Sequence, residues 1–426
     1  MALQWFQKRL FAHENKALHD DRQSHSDTRL GEFVEVKPLA TTAYPPQPLP
    51  RSGHRVWTDG EYLYTVGGYN PLRDLLDEDD DERPLLREVW RLNLLTQVWQ
   101  QISVKGTFPR QVASFAMASD EDNVKLYVFG GTAIPFGNTA SNALHAFHLC
   151  GPQKWSWELL PYEGSPPLPG YGQVLVRVDR HHMYAIGGTT GFEYNMHVHR
   201  LTVPKLSSKA LHTWEPVLVG PDCTARYRHE ALLRGHFIFV FGGGTRDTVI
   251  DLHTLDAFDL RNKTWTKVAT HPDPVHRFPA GRRCHAMVSH QNQAIVLGGF
   301  ISPGLADQPD GNAGLGNVLD DVWSLNLDTL EWRKIPTKLP EAVFFHSAAV
   351  TPDGCVYSFG GVLDIYGRAR TNKVFRMWLQ APPLQWLAAR TLLRSVPQLN
   401  SLSLNQLGGY IPRRLACLLK NADCAA

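Results

Sequence analysis

Arginine and histidine recur in short clusters with one local pattern. Arg51-Ser52-Gly53-His54, Arg226-Tyr227-Arg228-His229 and Arg282-Arg283-Cys284-His285 are the fullest. Pro109-Arg110, Gly170-Tyr171-Gly172 and Phe344-Phe345-His346-Ser347 are partial copies. A guanidinium is a planar, permanently charged fork suited to bidentate recognition of a carboxylate. Brought to one place, Arg51, Arg110, Arg226, Arg228, Arg282 and Arg283 would form an anion site. Tyr171, Tyr227, Phe344 and Phe345 would supply its walls. The competing role is structural, because such an arginine can equally hydrogen-bond backbone carbonyls between repeated units. His54, His229, His285 and His346 also stand in register. Metal ligands must converge within a few ångströms and be held by further hydrogen bonds. Copies spread around a repeat do not converge, so these histidines are expected to satisfy loop backbone groups. No metal and no cofactor is expected. No Ser-His-Asp order or phosphate-binding glycine loop is present either.

The elements that must position these clusters repeat as well. About a dozen residues after each cluster, an apolar strand runs into a glycine pair: Gly67-Gly68, Gly130-Gly131, Gly187-Gly188, Gly242-Gly243, Gly298-Gly299 and Gly360-Gly361. The first glycines stand 63, 57, 55, 56 and 62 residues apart, which marks a repeat architecture. A polar loop, a second alternating strand, a turn and usually a tryptophan follow. Val89-Trp90-Arg91-Leu92-Asn93-Leu94 leading to Trp99 and Asp321-Val322-Trp323-Ser324-Leu325 leading to Trp332 are examples. The period of two predicts strands with buried faces. Four strands per unit fit the spacing.

Composition narrows the function classes. The chain has 426 residues, 43% of them hydrophobic, which suits one large globular domain with appendages. A net charge of +2 argues against bulk nucleic-acid or membrane-surface binding. No apolar run reaches membrane-spanning length. Six scattered cysteines without a Cys-x-x-Cys pair suit a reducing cytoplasmic or nuclear setting. Residues 1–32 read as a disordered N-terminal segment. The acidic run Asp77–Glu82 and the Gly/Pro/Asp-rich insertion Ser302–Gly316 read as loops on one face.

The repeat resembles the kelch motif, in which a strand ends in a double glycine and is followed by a spaced aromatic and a tryptophan. That resemblance implies an all-β fold, a six-bladed β-propeller over residues 33–380. The sixth unit runs into Pro382-Pro383 and so lacks an outer strand. Phe33–Val36 is the expected donor, since an open ring would leave a bare edge. By ring symmetry the arginine clusters would converge on one mouth of the central channel. One kelch-like family is a copper radical oxidase, but nothing here marks its ligand set.

Beyond residue 380 the apolar period lengthens to that of helices, giving a short α-helical tail over 381–426. That tail is either a cap on the propeller or a docking element. Pro383, Leu384, Ala388 and Leu392 match an elongin-C-binding box, and Val396, Pro397 and Leu399 resemble the start of a cullin box. Asn400 stands where that family has an apolar residue, so cullin-2 and cullin-5 remain open. Kelch repeats followed by such a box resemble the kelch domain-containing substrate receptors of cullin-2 RING ubiquitin ligases. The resemblance implies a non-catalytic subunit that binds elongin C, elongin B and cullin-2. It also implies that the propeller holds client C-termini ending in glycine or another small residue. The implied carboxylate clamp is Arg226, Arg228 and Arg283, supported by Arg246 in the loop after Gly244, with Arg51, Arg110 and His346 nearby. Tyr171, Tyr227 and Phe345 would form its walls. A non-degradative scaffold is the alternative.

Overall fold

The computed structural model describes residues 29–38, 45–72, 84–151, 153–205, 210–220, 223–301, 317–396, 399, 402–409 and 411–419. Residues 1–28, the acidic run, the 302–316 insertion and Pro397 lie outside the described residues. Six antiparallel sheets form the six blades of a propeller. In blade 1 the strands Arg55–Thr58, Tyr62–Val66, Val89–Asn93 and Trp99–Ile102 follow one another from the channel outward. Blades 4 and 5 repeat this order with Glu230–Arg234 and Ala286–His290 innermost. In blade 6 the outermost strand is Val34–Glu35, paired antiparallel with Val374–Trp378 at Val34↔Arg376 and Glu35↔Phe375. The N-terminal segment thus closes the ring.

Blades 2 and 3 carry a fifth, outermost strand that the sequence pattern does not announce. Lys105–Gly106 pairs parallel with Ser156–Leu159, and Tyr162–Gly164 pairs parallel with His212–Leu218. Both are two or three residues long and largely exposed, so no alternation betrays them.

The core lies between blades, and the recurring tryptophan explains how. In blades 1, 3 and 5 it lies at or near the start of the fourth strand and packs against the phenylalanine just before the double glycine of the preceding blade. Trp214 meets Phe129 at 4.7 Å between ring centroids, and Trp99 meets Phe359 at 5.2 Å across the closure. Trp332 is fully buried over Phe241 and donates from Nε1 to the Leu252 carbonyl at 3.2 Å. Each such aromatic buries an area that dominates core energetics.

Three helices form the tail among the described residues: Leu384–Ser395, Leu404–Gly408 and Arg413–Leu419. They share a small core of Ala389, Leu393, Leu399, Leu407, Ala416 and Leu419 with Leu95 of blade 1. Trp386 packs edge-on against Trp378 at 5.2 Å, and Arg390 donates from Nη1 to the Leu95 carbonyl at 3.1 Å. Leu95 and Glu61, which accepts from Arg414 Nε at 2.6 Å, sit in the loops joining strands three to four and one to two. Those loops lie on the face opposite the double-glycine loops, so the tail occupies the far side from the mouth.

Candidate functional site

The segments that carry the arginine clusters in blades 1, 4 and 5 have equivalents in all six blades, and each position in them has a distinct fate. Take first the position filled by Arg51, Val112, Gly170, Arg226, Arg282 and Val343. Its carbonyl accepts the second-glycine N–H of the preceding blade, as in Gly68→Val112 at 2.8 Å and Gly361→Arg51 at 2.8 Å. Arg51, Arg226 and Arg282 are fully buried. Each donates Nε to the carbonyl two residues earlier and Nη1 to the first-glycine carbonyl of its own blade. For Arg282 these acceptors are Ala280 at 3.1 Å and Gly298 at 3.0 Å, and for Arg51 they are Leu49 and Gly67, both at 3.0 Å. A carboxylate completes each lock. Asp321 takes both Nη atoms of Arg282 at 2.7 and 3.0 Å, Glu88 takes Arg51 at 2.5 Å, and Asp256 takes Arg226. Arg51 and Arg226, expected at the mouth, are therefore internal staples within their blades. Their donors are spent on groups that would otherwise be buried unsatisfied.

The next position carries Tyr171, Tyr227, Arg283 and Phe344, each bridged to the residue after a double glycine. Tyr171 and Tyr227 are partly exposed and stand edge to face at 6.3 Å, with Tyr194 at 5.3 Å from Tyr227. Phe300, Phe344 and Phe345 continue the wall at 5.2 Å spacings on the other side. Arg283 lies over the Phe300 ring and donates Nη1 to the Arg246 carbonyl at 2.8 Å and to that of Thr245. It braces the loop that carries Arg246, whose own side chain is exposed. Arg110 is exposed two residues before its blade's equivalent position and does not align with Arg51.

The third position closes a backbone belt. Gly53, Ser114, Gly172, Arg228, Cys284 and Phe345 all have φ between 55° and 68°. Each N–H donates to the carbonyl of its counterpart in the preceding blade, from Ser114→Gly53 at 2.8 Å round to Gly53→Phe345 at 3.0 Å. Only glycine adopts that φ without cost, so the non-glycine residues here are strained and held by the ring. Their side chains meet in the channel. Arg228 stacks over Phe345 at 4.4 Å and donates Nη2 to the Ser114 hydroxyl. It is 8% exposed, and among the described residues its Nε has no hydrogen-bond partner and no carboxylate forms an ion pair with it, Glu230 adding only a nearby charge. Burial lowers its pKa. One layer deeper, Arg55 crosses the channel to Glu230 at 2.7 Å.

The fourth position holds the histidines. His54 Nε2 meets the Phe359 carbonyl at 3.1 Å, and His229 Nε2 meets that of Ile186 at 3.2 Å. Both carbonyls immediately precede a double glycine of the neighbouring blade. His346, expected beside the clamp, is 5% exposed between blades, and burial pulls its pKa down to about 3. Among the described residues no cluster of His, Cys, Asp and Glu could hold a metal.

In the tail, Leu384 is 83% exposed and Ala388 is exposed, with Leu392 half-buried one turn on. Pro383 caps the helix N-terminus. Ala389, Arg390 and Leu393 turn the opposite face to the propeller. Leu399 is inside the tail core, and Val396, half-buried, packs against it.

A ring of double-glycine blades closed by an N-terminal strand defines a kelch-repeat β-propeller. The family profile described as the KLHDC2/KLHL20/DRC7 Kelch-repeats domain matches residues 53–299, and the Kelch motif matches residues 281–339. Kelch domain-containing protein 10 of Rattus norvegicus is 38% identical over 381 residues, covering 89% of this chain and 88% of the relative. The Homo sapiens protein of that name is 39% identical over 362 residues, covering 84% of this chain and 77% of its own length. Kelch domain-containing protein 2 of Bos taurus is 26% identical over 385 residues, 81% of this chain and 85% of the relative. The chain belongs to the kelch domain-containing protein 10 family.

Proposed function

We propose that this protein is a non-catalytic substrate receptor whose propeller mouth holds the C-terminal carboxylate of client proteins. The observation that carries this reading is Arg228. A permanent cation at the channel floor with no carboxylate partner is costly. Its own blade spends a carboxylate on Arg226, and blades 1 and 5 spend one each on Arg51 and Arg282, yet among the described residues none pairs with Arg228. An incoming chain end would supply the missing anion. Tyr171, Tyr227, Phe344 and Phe345 narrow the approach, which favours glycine or another small residue at the last position. Arg283 and Arg246 stand above as secondary positive charge. A carboxylate terminus is an acceptor that no internal peptide bond reproduces, so the site would read ends.

In the same reading the exposed Leu384–Ala388–Leu392 face docks elongin C, with elongin B and cullin-2 following, and the protein works in the cytoplasm and nucleus. The decisive comparison is a glycine-ended peptide against its C-terminal amide, by calorimetry. Amidation removes a charge-assisted hydrogen bond and is expected to weaken binding about 10- to 100-fold. Equal affinities would leave a scaffold whose propeller binds a partner some other way.

A further inference from the structure

Three blades lack the arginine staple, and in one of them no side chain takes its place. In blades 1 and 5 the lock consists of an arginine, a first-glycine carbonyl, a carboxylate at the foot of strand three and a tryptophan two residues on: Arg51, Gly67, Glu88 and Trp90, or Arg282, Gly298, Asp321 and Trp323. The same register in blade 3 reads Gly170, Gly187, His197 and His199. Val112 and Val343 fill the arginine's place in blades 2 and 6 and are buried. Gly170 fills nothing. A small cleft open to solvent lies there, lined by Leu168, Gly170, Gln173, Gly187, His197 and His199 among others.

The cleft keeps the acceptors of the missing staple. Leu168 is two residues before Gly170, as Leu49 and Ala280 are before their arginines, and Gly187 is the first glycine. Gln173 adds another. Its Nε2 faces the Phe129 and Gly170 carbonyls, which leaves Oε1, buried at 4% residue exposure, without a partner. Burial holds His199 down to about 4, so at neutral pH its ring is uncharged and does not repel a cation. Leu168 is 63% exposed at the rim, where an aliphatic stem could lie. The cleft opens beside Tyr171, which bridges to Thr189 on the mouth wall.

We propose that this cleft is a socket for a guanidinium supplied from outside, an arginine side chain of the bound client tail a few residues before its end. This rests on the mouth binding chain ends. The planar donor fork would occupy the volume that Arg51 and Arg282 fill in their own blades.

The test uses glycine-ended peptides with arginine at each of the second to fifth positions from the end, paired with norleucine versions. At one position arginine is expected to improve affinity roughly tenfold in the unmodified protein. His197→Asp restores the absent carboxylate and should widen that ratio roughly tenfold further. His199→Trp fills the cleft and should bring the ratio to one while norleucine peptides bind as before. A ratio near one at every position, or a ratio that neither substitution changes, overturns the proposal. If acid and amide peptides bind equally while the arginine ratio persists, the mouth reading fails and the socket stands alone.

Discussion

Adjacent residues in one cluster do opposite things, and the backbone decides which. Arg226 and Arg228 are two apart and chemically identical, yet one is locked inside its blade and the other caps the channel. The φ of 55° at Arg228 turns the chain between them. Residue type alone cannot show that turn, because in other blades the same place holds glycine, serine, cysteine or phenylalanine. The four histidines match in register and in burial, but only His54 and His229 meet the interblade carbonyl that the pattern leads one to expect, while among the described residues neither ring nitrogen of His285 or His346 is hydrogen-bonded. Their burial has a pH consequence. His229 and His346 are held at about 3, and His54 and His285 well below the ordinary value, each chiefly by burial. The folded state keeps them neutral where the unfolded chain binds protons, near pH 6.5. Stability is therefore complete above that value and declines as pH falls from about 6.5 toward 3. Each histidine contributes up to about 1.4 kcal/mol per pH unit in that window. Blade 3 carries Gln173 at this position, so His229→Gln with His346→Gln is a tolerable replacement. Urea unfolding at pH 7 and pH 5 should show a smaller loss for the double variant than for the unmodified protein. An identical loss would mean that other groups drive acid sensitivity.

At the scale of elements, the blades were plain in the sequence because each double glycine is a backbone requirement. A side chain at Gly242 would meet the Arg282 carbonyl at 2.3 Å, so the position tolerates nothing larger at that φ of 55°. The closing strand was legible for a complementary reason: blade 6 runs into Pro382-Pro383 before a fourth strand can form. The fifth strands of blades 2 and 3 were not, since two or three largely exposed residues carry no period. The tail was legible as helical but not in its facing. A 3.6-residue pattern alone does not say that Leu399 turns inward while Leu384 stays bare. Closure itself can be measured. Val36 N–H donates to the Val374 carbonyl at 2.8 Å, next to the Val34↔Arg376 pair. Val36→Pro deletes that bond and should cost about 1–3 kcal/mol by chemical denaturation. Phe33→Ser, which leaves the backbone donor in place, should cost less than the proline. An unchanged midpoint for Val36→Pro would show that the ring holds without its N-terminal clasp.

Across the whole molecule, the two candidate surfaces lie on opposite faces of a rigid ring. The mouth is built from the double-glycine loops, while the tail rests on the Glu61 and Leu95 loops beneath blade 1. Between them stand the hydrogen-bonded belt and the Arg55–Glu230 bridge across the channel. Coupling between the faces needs a two-state element that both sites bias, and a closed hydrogen-bonded belt is a poor candidate for one. If, as proposed, the mouth takes client chain ends and the tail docks elongin C, the two are expected to be independent, and one substitution should separate them. Leu384→Arg alters a side chain that is 83% exposed on the helix face turned from the propeller. It should leave the thermal midpoint within about 1 °C, since exposed substitutions away from packing cost little. Peptide affinity at the mouth should stay within about twofold. Recovery of elongin C and cullin-2 in a pull-down should fall at least about tenfold, because a charge replaces the anchor of an apolar helix-in-groove contact. Undiminished recovery would reassign the tail as a cap, its Trp386 and Arg390 contacts being its whole purpose. A fall in peptide affinity alongside lost recovery would instead reveal communication through the ring, and the rigid-belt account would have to give way.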